Sequence, residues 1–106
     1  MLKTGTFVFM ALSLLALALL FACESHTRAR QLIEQYKCRE CHTLDGKGGA
    51  VGPNLSSVGS RRDRSYIYQQ IKAPKSHNPS TAMPSFGDRM TAEELNILTD
   101  YLASLK

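Results

Sequence analysis

Hydrophobic and polar positions divide the chain into one apolar run near the N-terminus and a longer part in which amphipathic segments alternate with loops. Apolar residues recur at helical spacing in three segments, which predict helices over residues 29–37, 63–73 and 91–105. Between them, residues 43–62 and 74–90 are too rich in glycine or proline for a helix or a long strand. The pattern therefore predicts an all-α domain of three helices joined by two long loops.

Some of these helix boundaries are marked by residues that stabilise or terminate helices. Asp63 can cap the second helix, and Pro74 ends it because proline cannot continue a helix. The third helix begins with Thr91 followed three residues later by Glu94, the signature of a capping box. The faces predicted to pack inward consist of Leu32, Ile33 and Tyr36, then Tyr66, Ile67, Gln70 and Ile71, and finally Leu95, Ile97, Leu98, Tyr101, Leu102 and Leu105.

The apolar run extends without a charge from Phe7 to Ala22 and follows Lys3. Its 16 residues suit the hydrophobic region of an export signal and are short for a membrane span of about 20 residues. We therefore interpret residues 1–22 as a signal peptide or another membrane-targeting segment.

The run ends in L-F-A-C at residues 20–23, which resembles a bacterial lipoprotein box. In such a box the chain is cut before the cysteine, so the sulfur of Cys23 would carry a diacylglycerol. The alternatives are an uncleaved signal anchor and an ordinary secretory signal that is cut elsewhere. In each case residues 23–27 form a short polar connector, and residues 28–106 form a domain exported across the bacterial inner membrane. That domain would be anchored facing the periplasm or the outside, or would be soluble in the periplasm.

The composition limits the size of the core and the kinds of partner. The 106 residues include 13 basic and 9 acidic side chains, a formal net charge of +4. No arginine-rich face is interleaved with aromatic residues, so we predict no nucleic-acid partner. A domain this short buries a small core and usually needs an additional constraint. We predict a monomer built around such a constraint.

The strongest chemical signal is the sequence C-x-x-C-H at residues 38–42, which has the spacing of a c-type haem attachment motif. The thiols of Cys38 and Cys41 would fall on one side of a helical turn and add to the two vinyl groups of one porphyrin. His42 would then offer a ring nitrogen to the iron as an axial ligand. Because the motif uses two of the three cysteines, we expect no structural disulfide.

Other interpretations of the motif are weaker. A thioredoxin-like redox pair also has the C-x-x-C spacing, but no strand is predicted before Cys38. A zinc site needs four ligands, whereas the motif supplies three, and Cys41 and His42 are adjacent. A chance occurrence is the third alternative. We predict one covalently attached haem c.

A second iron ligand is predicted at Met83, in a loop about 40 residues after the motif, where Pro84 stiffens the backbone. The alternative is a methionine that only fills a gap in the core. His77, in the same loop, is a rival ligand, although a lone histidine there is usually solvated. The carbonyl of Pro53 could accept the ring N–H of His42 and fix its tautomer.

In their order and spacing, C-x-x-C-H at residues 38–42, G-P-N-L at 52–55, A-M-P-x-F at 82–86 and the terminal helix resemble the motifs of small class I bacterial cytochromes c. The resemblance covers about residues 28–106. It implies an all-α, class I cytochrome c-like fold, in which three main helices and Gly/Pro-rich loops surround one haem. The first and last helices would cross near their middles.

The resemblance also implies roles for individual residues. Ala29 and Ile33 would occupy the helix crossing, and Arg61 or Arg62 would pair with a haem propionate. The residues implied at the haem are Cys38 and Cys41 as covalent attachments, His42 and Met83 as axial ligands of the iron, and Pro53 as the carbonyl partner of His42.

We therefore predict an electron-transfer protein rather than an enzyme: a one-electron carrier in a respiratory or other periplasmic chain. Its donor and acceptor would be redox proteins, and a basic rim could steer acidic partners. One alternative is a haem-bearing subunit docked within a membrane oxidoreductase complex. Another is a haem enzyme or gas sensor with an open sixth site, for which no general base stands at a convincing position. The basic rim that could steer acidic partners consists of Arg61, Arg62, Arg64, Lys72 and Lys75.

Overall fold

The computed structural model describes residues 3–106, with side chains from residue 5 onward, and this part of the chain is mainly helical. The α-helices are α1 (Lys3–Gln35), α2 (Arg64–Lys72) and α3 (Ala92–Ser104). Strands β1 (Thr43–Leu44) and β2 (Lys47–Gly48) form a small antiparallel hairpin. Short 3₁₀ turns cover Cys38–Glu40, Val58–Ser60 and Pro74–Ser76.

Helix α1 is longer than the sequence pattern predicts. It passes without interruption through residues 24–27, so this helix begins well before residue 29, where the sequence pattern starts it. The hydroxyls of Ser25 and Thr27 donate to carbonyls three and four residues earlier, both at 3.0 Å, so these polar side chains are accommodated within the helix. The helix ends at Gln35, before the predicted residue 37, because Lys37 adopts a left-handed conformation with φ of 56°.

The predicted starts of the other two helices are confirmed. The carboxylate of Asp63 accepts the backbone N–H of Tyr66 at 2.8 Å. At the start of α3, the backbone N–H of Glu94 donates to the hydroxyl of Thr91, and the carboxylate of Glu94 accepts the backbone N–H of Thr91, both at 3.1 Å. These reciprocal bonds form the predicted capping box.

The core lies where α1 and α2 pack against α3. Ala29 and Ile33, the positions implied for the helix crossing, are both buried. Polar contacts stabilise the contact between α1 and α3: a guanidinium nitrogen of Arg28 lies 3.0 Å from a carboxylate oxygen of Glu94, and the hydroxyl of Tyr36 donates to the other oxygen at 2.9 Å. Loop residues complete the core, among them Leu44, Val58, Phe86 and Met90.

The hairpin occupies part of the loop predicted over residues 43–62. Asp45 and Gly46 connect its strands and have φ values of 53° and 75°. Two consecutive positive φ values are typical of a tight turn that matches the twist of antiparallel strands. The sequence pattern did not predict these strands because each contains only two residues.

The first part of α1 differs from the rest of the fold because its large apolar side chains from Phe7 to Phe21 are exposed. A segment of α1 beginning at Gly5 is long and apolar enough to cross a membrane, judged by length and composition only. The burial of helix residues begins with Ala29, on the domain side of the apolar run.

Candidate haem-attachment site

The C-x-x-C-H motif leaves α1 through the left-handed residue Lys37 and folds into a single 3₁₀ turn. The backbone N–H groups of Cys41 and His42 both donate to the carbonyl of Cys38, at 3.3 and 3.0 Å. Cys38 is half-buried against the core, and this burial raises the pKa of its thiol. Cys41 is exposed, and neither thiol is in a disulfide. The turn therefore presents one thiol at the edge of the core and the other to solvent.

Arg39, between the two cysteines, connects the motif to its surroundings. Its guanidinium contacts the carboxylate of Glu34 at 2.6 Å and donates to the carbonyls of Leu44 and of Lys47, the latter at 3.2 Å. Sequence analysis missed this role, because the two positions between the cysteines of the motif are unspecified. These contacts attach the hairpin and the end of α1 to the turn that carries the thiols.

The imidazole of His42 lies against the backbone of residues 52 and 53. Its Nδ1 is 2.7 Å from the carbonyl oxygen of Pro53, so the structure brings together the two residues that the sequence paired. Because a carbonyl only accepts, Nδ1 carries the proton in this contact and Nε2 keeps its lone pair. A Cβ at Gly52 would lie 2.4 Å from Cε1 of the ring, so only glycine fits there without a shift.

An apolar hollow lies beside the motif. It is bordered by one thiol and one imidazole, those of Cys38 and His42, and mostly by aliphatic side chains. A haem c needs apolar walls, thiols for attachment and a nitrogen donor for its iron. The hollow supplies the apolar walls, the thiol of Cys38 and the imidazole of His42, whereas Cys41 and Met83 do not border it. The lining consists of Ile33, Cys38, Arg39, His42, Leu44, Leu55, Leu98 and Leu102.

Met83 lies in a loop that is held against the C-terminal end of α2 by backbone hydrogen bonds. The backbone N–H groups of Phe86 and Gly87 donate to the carbonyls of Ile71 and Lys72, both at 3.1 Å. Met83 itself is half-buried and packs against the same core as Cys38. Its sulfur accepts a hydrogen bond from the side-chain amide of Gln70 at 3.4 Å, a contact that sequence analysis missed.

His77, the rival ligand offered by the sequence, contacts other residues, and Met90 is a second methionine near the loop. His77 is exposed, and its ring stacks on that of Tyr66 with centroids 4.1 Å apart and planes 3° apart. Its Nδ1 lies 2.8 Å from the side-chain oxygen of Gln70. Met90 is a core residue with 6% of its surface exposed.

The residues of the predicted basic rim are exposed, and several have protein partners. Arg61 donates to the carbonyl of Asn54 at 2.6 Å, and the guanidinium of Arg62 lies 4.2 Å from the ring centroid of Tyr66. Neither arginine lines the hollow beside His42. Arg64 pairs with Asp100 and also donates to Asn96 at 2.8 Å, which reduces its contribution to a positive rim.

The motif contains cysteine and histidine, which are also common ligands of metal ions. Within the part of the chain that the structure describes, no three His, Cys, Asp or Glu side chains form a group that could hold a metal ion.

The fold is similar to that of the c-type cytochrome SorU from Sinorhizobium meliloti, with a TM-score of 0.59 and 23% identity, over 77% of this chain and 91% of that chain. The chain is also 31% identical over 87 residues to cytochrome c oxidase subunit 2 of Alkalihalophilus pseudofirmus (strain ATCC BAA-2126 / JCM 17055 / OF4). That alignment covers 74% of this chain and 25% of the relative, so this chain spans about a quarter of the relative's length.

The profile of the family described as cytochrome C oxidase, cbb3-type, subunit III matches residues 24–102, and the chain belongs to this family. The predicted fold class is confirmed, since the helical fold is that of a c-type cytochrome. The predicted cofactor is confirmed as well: the protein is a cytochrome c with covalently bound haem c and its iron.

Proposed function

We propose that the protein is a one-electron carrier that binds its haem through Cys38 and Cys41, with His42 and Met83 as axial ligands of the iron. The observation that carries this proposal is the hydrogen bond between His42 and Pro53, because it leaves Nε2 free to bind a metal. The hollow bordered by Cys38 and His42 supports the roles of these two residues. When bound, the haem supplies a centre that takes up and releases one electron.

The residues around the haem would keep its ligands in place during electron transfer. Each thiol would add across one vinyl group, so the two resulting thioethers would hold the haem against the 3₁₀ turn. The hydrogen bond that the ring of His42 donates to the carbonyl of Pro53 fixes the ring. The hydrogen bonds between the loop and α2 limit the movement of Met83. A thioether ligand in an apolar pocket favours the reduced state. Arg61 and Arg62 are our candidates for pairing with a haem propionate.

We further propose that residues 1–22 direct export and that Cys23 carries a lipid, with an uncleaved anchor and soluble export as alternatives. Contacts between α1 and the rest of the domain begin close to Cys23, since the ring centroids of His26 and Tyr101 lie 5.3 Å apart. Two residues separate Cys23 from His26, so a lipid on Cys23 would hold the domain close to the membrane surface. Such tethering raises the local concentration of membrane-bound partners and offsets a weak interface.

A second candidate function is that of a haem-bearing subunit within a terminal oxidase. The description of the family and the name of the Alkalihalophilus relative, cytochrome c oxidase subunit 2, favour it. In both candidate functions the chain passes electrons and does not itself catalyse a reaction. Purification from native membranes under mild detergent distinguishes them, because a subunit co-purifies with an integral membrane oxidase and a free carrier does not.

The proposal is tested by absorption spectra of the protein made in cells that attach c-type haems. We expect a haem c spectrum and, in the oxidised state, the weak band at the red end of the visible range that reports methionine sulfur on ferric iron. Cys38→Ala should leave one thioether or no haem, whereas Cys23→Ser should retain both thioethers. A haem spectrum without the red band would contradict ligation by Met83 and favour His77 or an open sixth site. Full attachment in Cys38→Ala would contradict the role of Cys38.

A further inference from the structure

Gln70 lies between the two residues that the sequence offered as rival ligands. Its side-chain nitrogen is 3.4 Å from the sulfur of Met83, and its side-chain oxygen is 2.8 Å from Nδ1 of His77. Gln70 belongs to α2, whereas both of its partners belong to the following loop. A single amide therefore connects Met83 to His77.

The two contacts determine which end of the amide faces the sulfur. A thioether accepts hydrogen bonds and donates none, so Met83 requires the NH₂ end of Gln70. The oxygen end then faces His77, which donates from Nδ1. If His77 lost this donor, the amide could rotate, and the sulfur would face the oxygen for part of the time.

The position of His77 is itself fixed. Its ring lies parallel to the ring of Tyr66 on α2, and the guanidinium of Arg62 contacts the same tyrosine ring. This stacking places Nδ1 beside α2, within reach of Gln70. The arrangement gives His77 a role that is different from iron ligation.

We propose that Gln70 is a positioning residue for the sulfur of Met83 and that His77 fixes the orientation of the Gln70 amide. This inference rests on the proposed ligation of the iron by Met83. A thioether sulfur has two lone pairs, and the N–H group of Gln70 occupies one of them, which leaves the other for iron. The hydrogen bond also withdraws electron density from the sulfur, so Met83 donates less to ferric iron and the reduced state is favoured.

The test compares the midpoint potential of the haem-loaded protein with that of Gln70→Leu, which keeps the approximate size of the side chain and removes both contacts. We expect a lower potential, equivalent to about a fivefold smaller ferrous-to-ferric ratio at a fixed electrode potential, the effect of one net hydrogen bond. The matched control is Gln69→Leu. Gln69 precedes Gln70 on α2 and donates to Ser76 at 3.1 Å instead of to Met83, so its variant should keep the wild-type potential.

A second variant tests whether His77 acts through Gln70. His77→Phe keeps a ring to stack on Tyr66 and removes the nitrogen that donates to Gln70. We expect its potential to fall in the same direction as in Gln70→Leu, by a smaller amount. The double variant should match Gln70→Leu alone, because His77 has nothing to orient once the amide is gone. If the shifts in midpoint potential of the two single variants added up in the double variant, His77 would act on the haem independently of Gln70. That result would contradict the proposed role of His77 in orienting the Gln70 amide.

The outcomes separate this inference from the proposed function. If the wild-type protein lacks the red band of methionine ligation, the ligand assignment itself is wrong, and the inference fails with it. If the band is present but Gln70→Leu keeps both the band and the potential, the ligand assignment stands and the role of Gln70 is wrong. Equal shifts in Gln70→Leu and Gln69→Leu would show a general effect of altering α2 and would also overturn the inference.

Discussion

The Nδ1 atom of His42 lies 2.7 Å from the carbonyl oxygen of Pro53, eleven residues further along the chain. The intervening hairpin and loop bring Pro53 back beneath the motif, and the backbone N–H of Gly52 donates to the carbonyl of Cys41 at 2.7 Å. This short loop therefore makes one hydrogen bond with the ring of His42 and one with the backbone of the motif. One contact sets the tautomer of His42, and the other sets the distance between the loop and the motif.

Replacing Gly52 tests whether this close approach matters. In Gly52→Ala, the new Cβ would lie 2.4 Å from Cε1 and 2.7 Å from Nδ1 of His42, so the ring or the loop must move. We expect a loss of stability of roughly 1–3 kcal/mol and a weakened bond between His42 and Pro53. Denaturant unfolding of the haem-loaded protein measures the first effect, and the yield of haem-loaded protein reports the second.

The matched control for Gly52→Ala is Val51→Ala at the neighbouring position, where the side chain is 77% exposed. This change should leave both the stability and the haem yield near their wild-type values. If Gly52→Ala also matched the wild type, the ring of His42 would not be held against this loop.

The helical part of the domain could be predicted from the sequence because its signals are local. Thr91 and Glu94 lie three residues apart, and their capping box depends on little beyond that spacing. The start of α2 at Asp63 is equally local. The contact between His42 and Pro53 could also be predicted, since the family resemblance implies it.

Other features depend on contacts that no local pattern contains. Gln70 reaches Met83 across thirteen positions, and Arg39 donates to carbonyls of a hairpin that had been predicted as loop. The length of α1 was missed for a different reason. The polar residues 24–27 suggest a connector, but Ser25 and Thr27 bond to the carbonyls of their own helix.

Met83 and Met90 provide a direct comparison between a proposed ligand and a core methionine. Met83→Leu keeps an apolar side chain of similar size but removes the sulfur. We expect loss of the red absorption band and a lower midpoint potential, because axial ligands tune haem potentials over roughly 0.8 V. Met90→Leu, at a buried position with 6% exposure, should keep both the band and the potential. A retained red band in Met83→Leu would contradict the proposed ligation.

The contact between α1 and α3 should make stability depend on pH through Glu94. Hydrogen bonds from the backbone of Thr91 and from the hydroxyl of Tyr36 hold the pKa of Glu94 below its ordinary value of 4.5. The folded state therefore binds this proton more weakly than the unfolded chain does. The stabilisation is fully present above about pH 4.5 and is lost as the pH falls through the lower folded-state pKa.

Glu94→Gln should reduce this acid dependence, and denaturant unfolding between pH 6 and about pH 3 measures it. The slope of unfolding free energy against pH should become shallower without disappearing. Asp63 also has a lowered pKa, because its carboxylate accepts the backbone N–H of Tyr66. Glu93→Gln, at the exposed preceding position, is the matched control and should keep the wild-type slope. An unchanged slope in Glu94→Gln would show that the contacts of this carboxylate do not contribute to acid unfolding.

Gly59 lets a 3₁₀ turn approach the end of α3. A Cβ there would lie 2.1 Å from the carbonyl oxygen of Ala103 and 2.7 Å from that of Leu105, both of which are backbone atoms. Gly59→Ala should therefore cost about 1–3 kcal/mol of unfolding free energy. The change lies outside the hollow beside His42, so the red absorption band should remain.

Ser60→Ala is the control for Gly59→Ala, because Ser60 is exposed and its hydroxyl donates to the carbonyl of Ser57 at 2.7 Å, next to the same turn. It should cost less than Gly59→Ala in the same unfolding measurement. Equal stabilities of Gly59→Ala and the wild type would contradict the close packing of this turn against α3.

Replacing Cys23 tests whether the domain has a lipid anchor. If its sulfur carries the lipid, Cys23→Ser cannot be modified there, and the domain should lose its stable attachment to the membrane. Membrane fractionation and the intact mass of the protein measure the outcome, and Ser25→Ala is a control that leaves Cys23 in place. A Cys23→Ser protein that stays in the membrane and retains residues 1–22 would contradict the lipid anchor and favour an uncleaved helix. In that case the exposed apolar part of α1 would itself be the anchor, and it would continue directly into the helix that packs on α3.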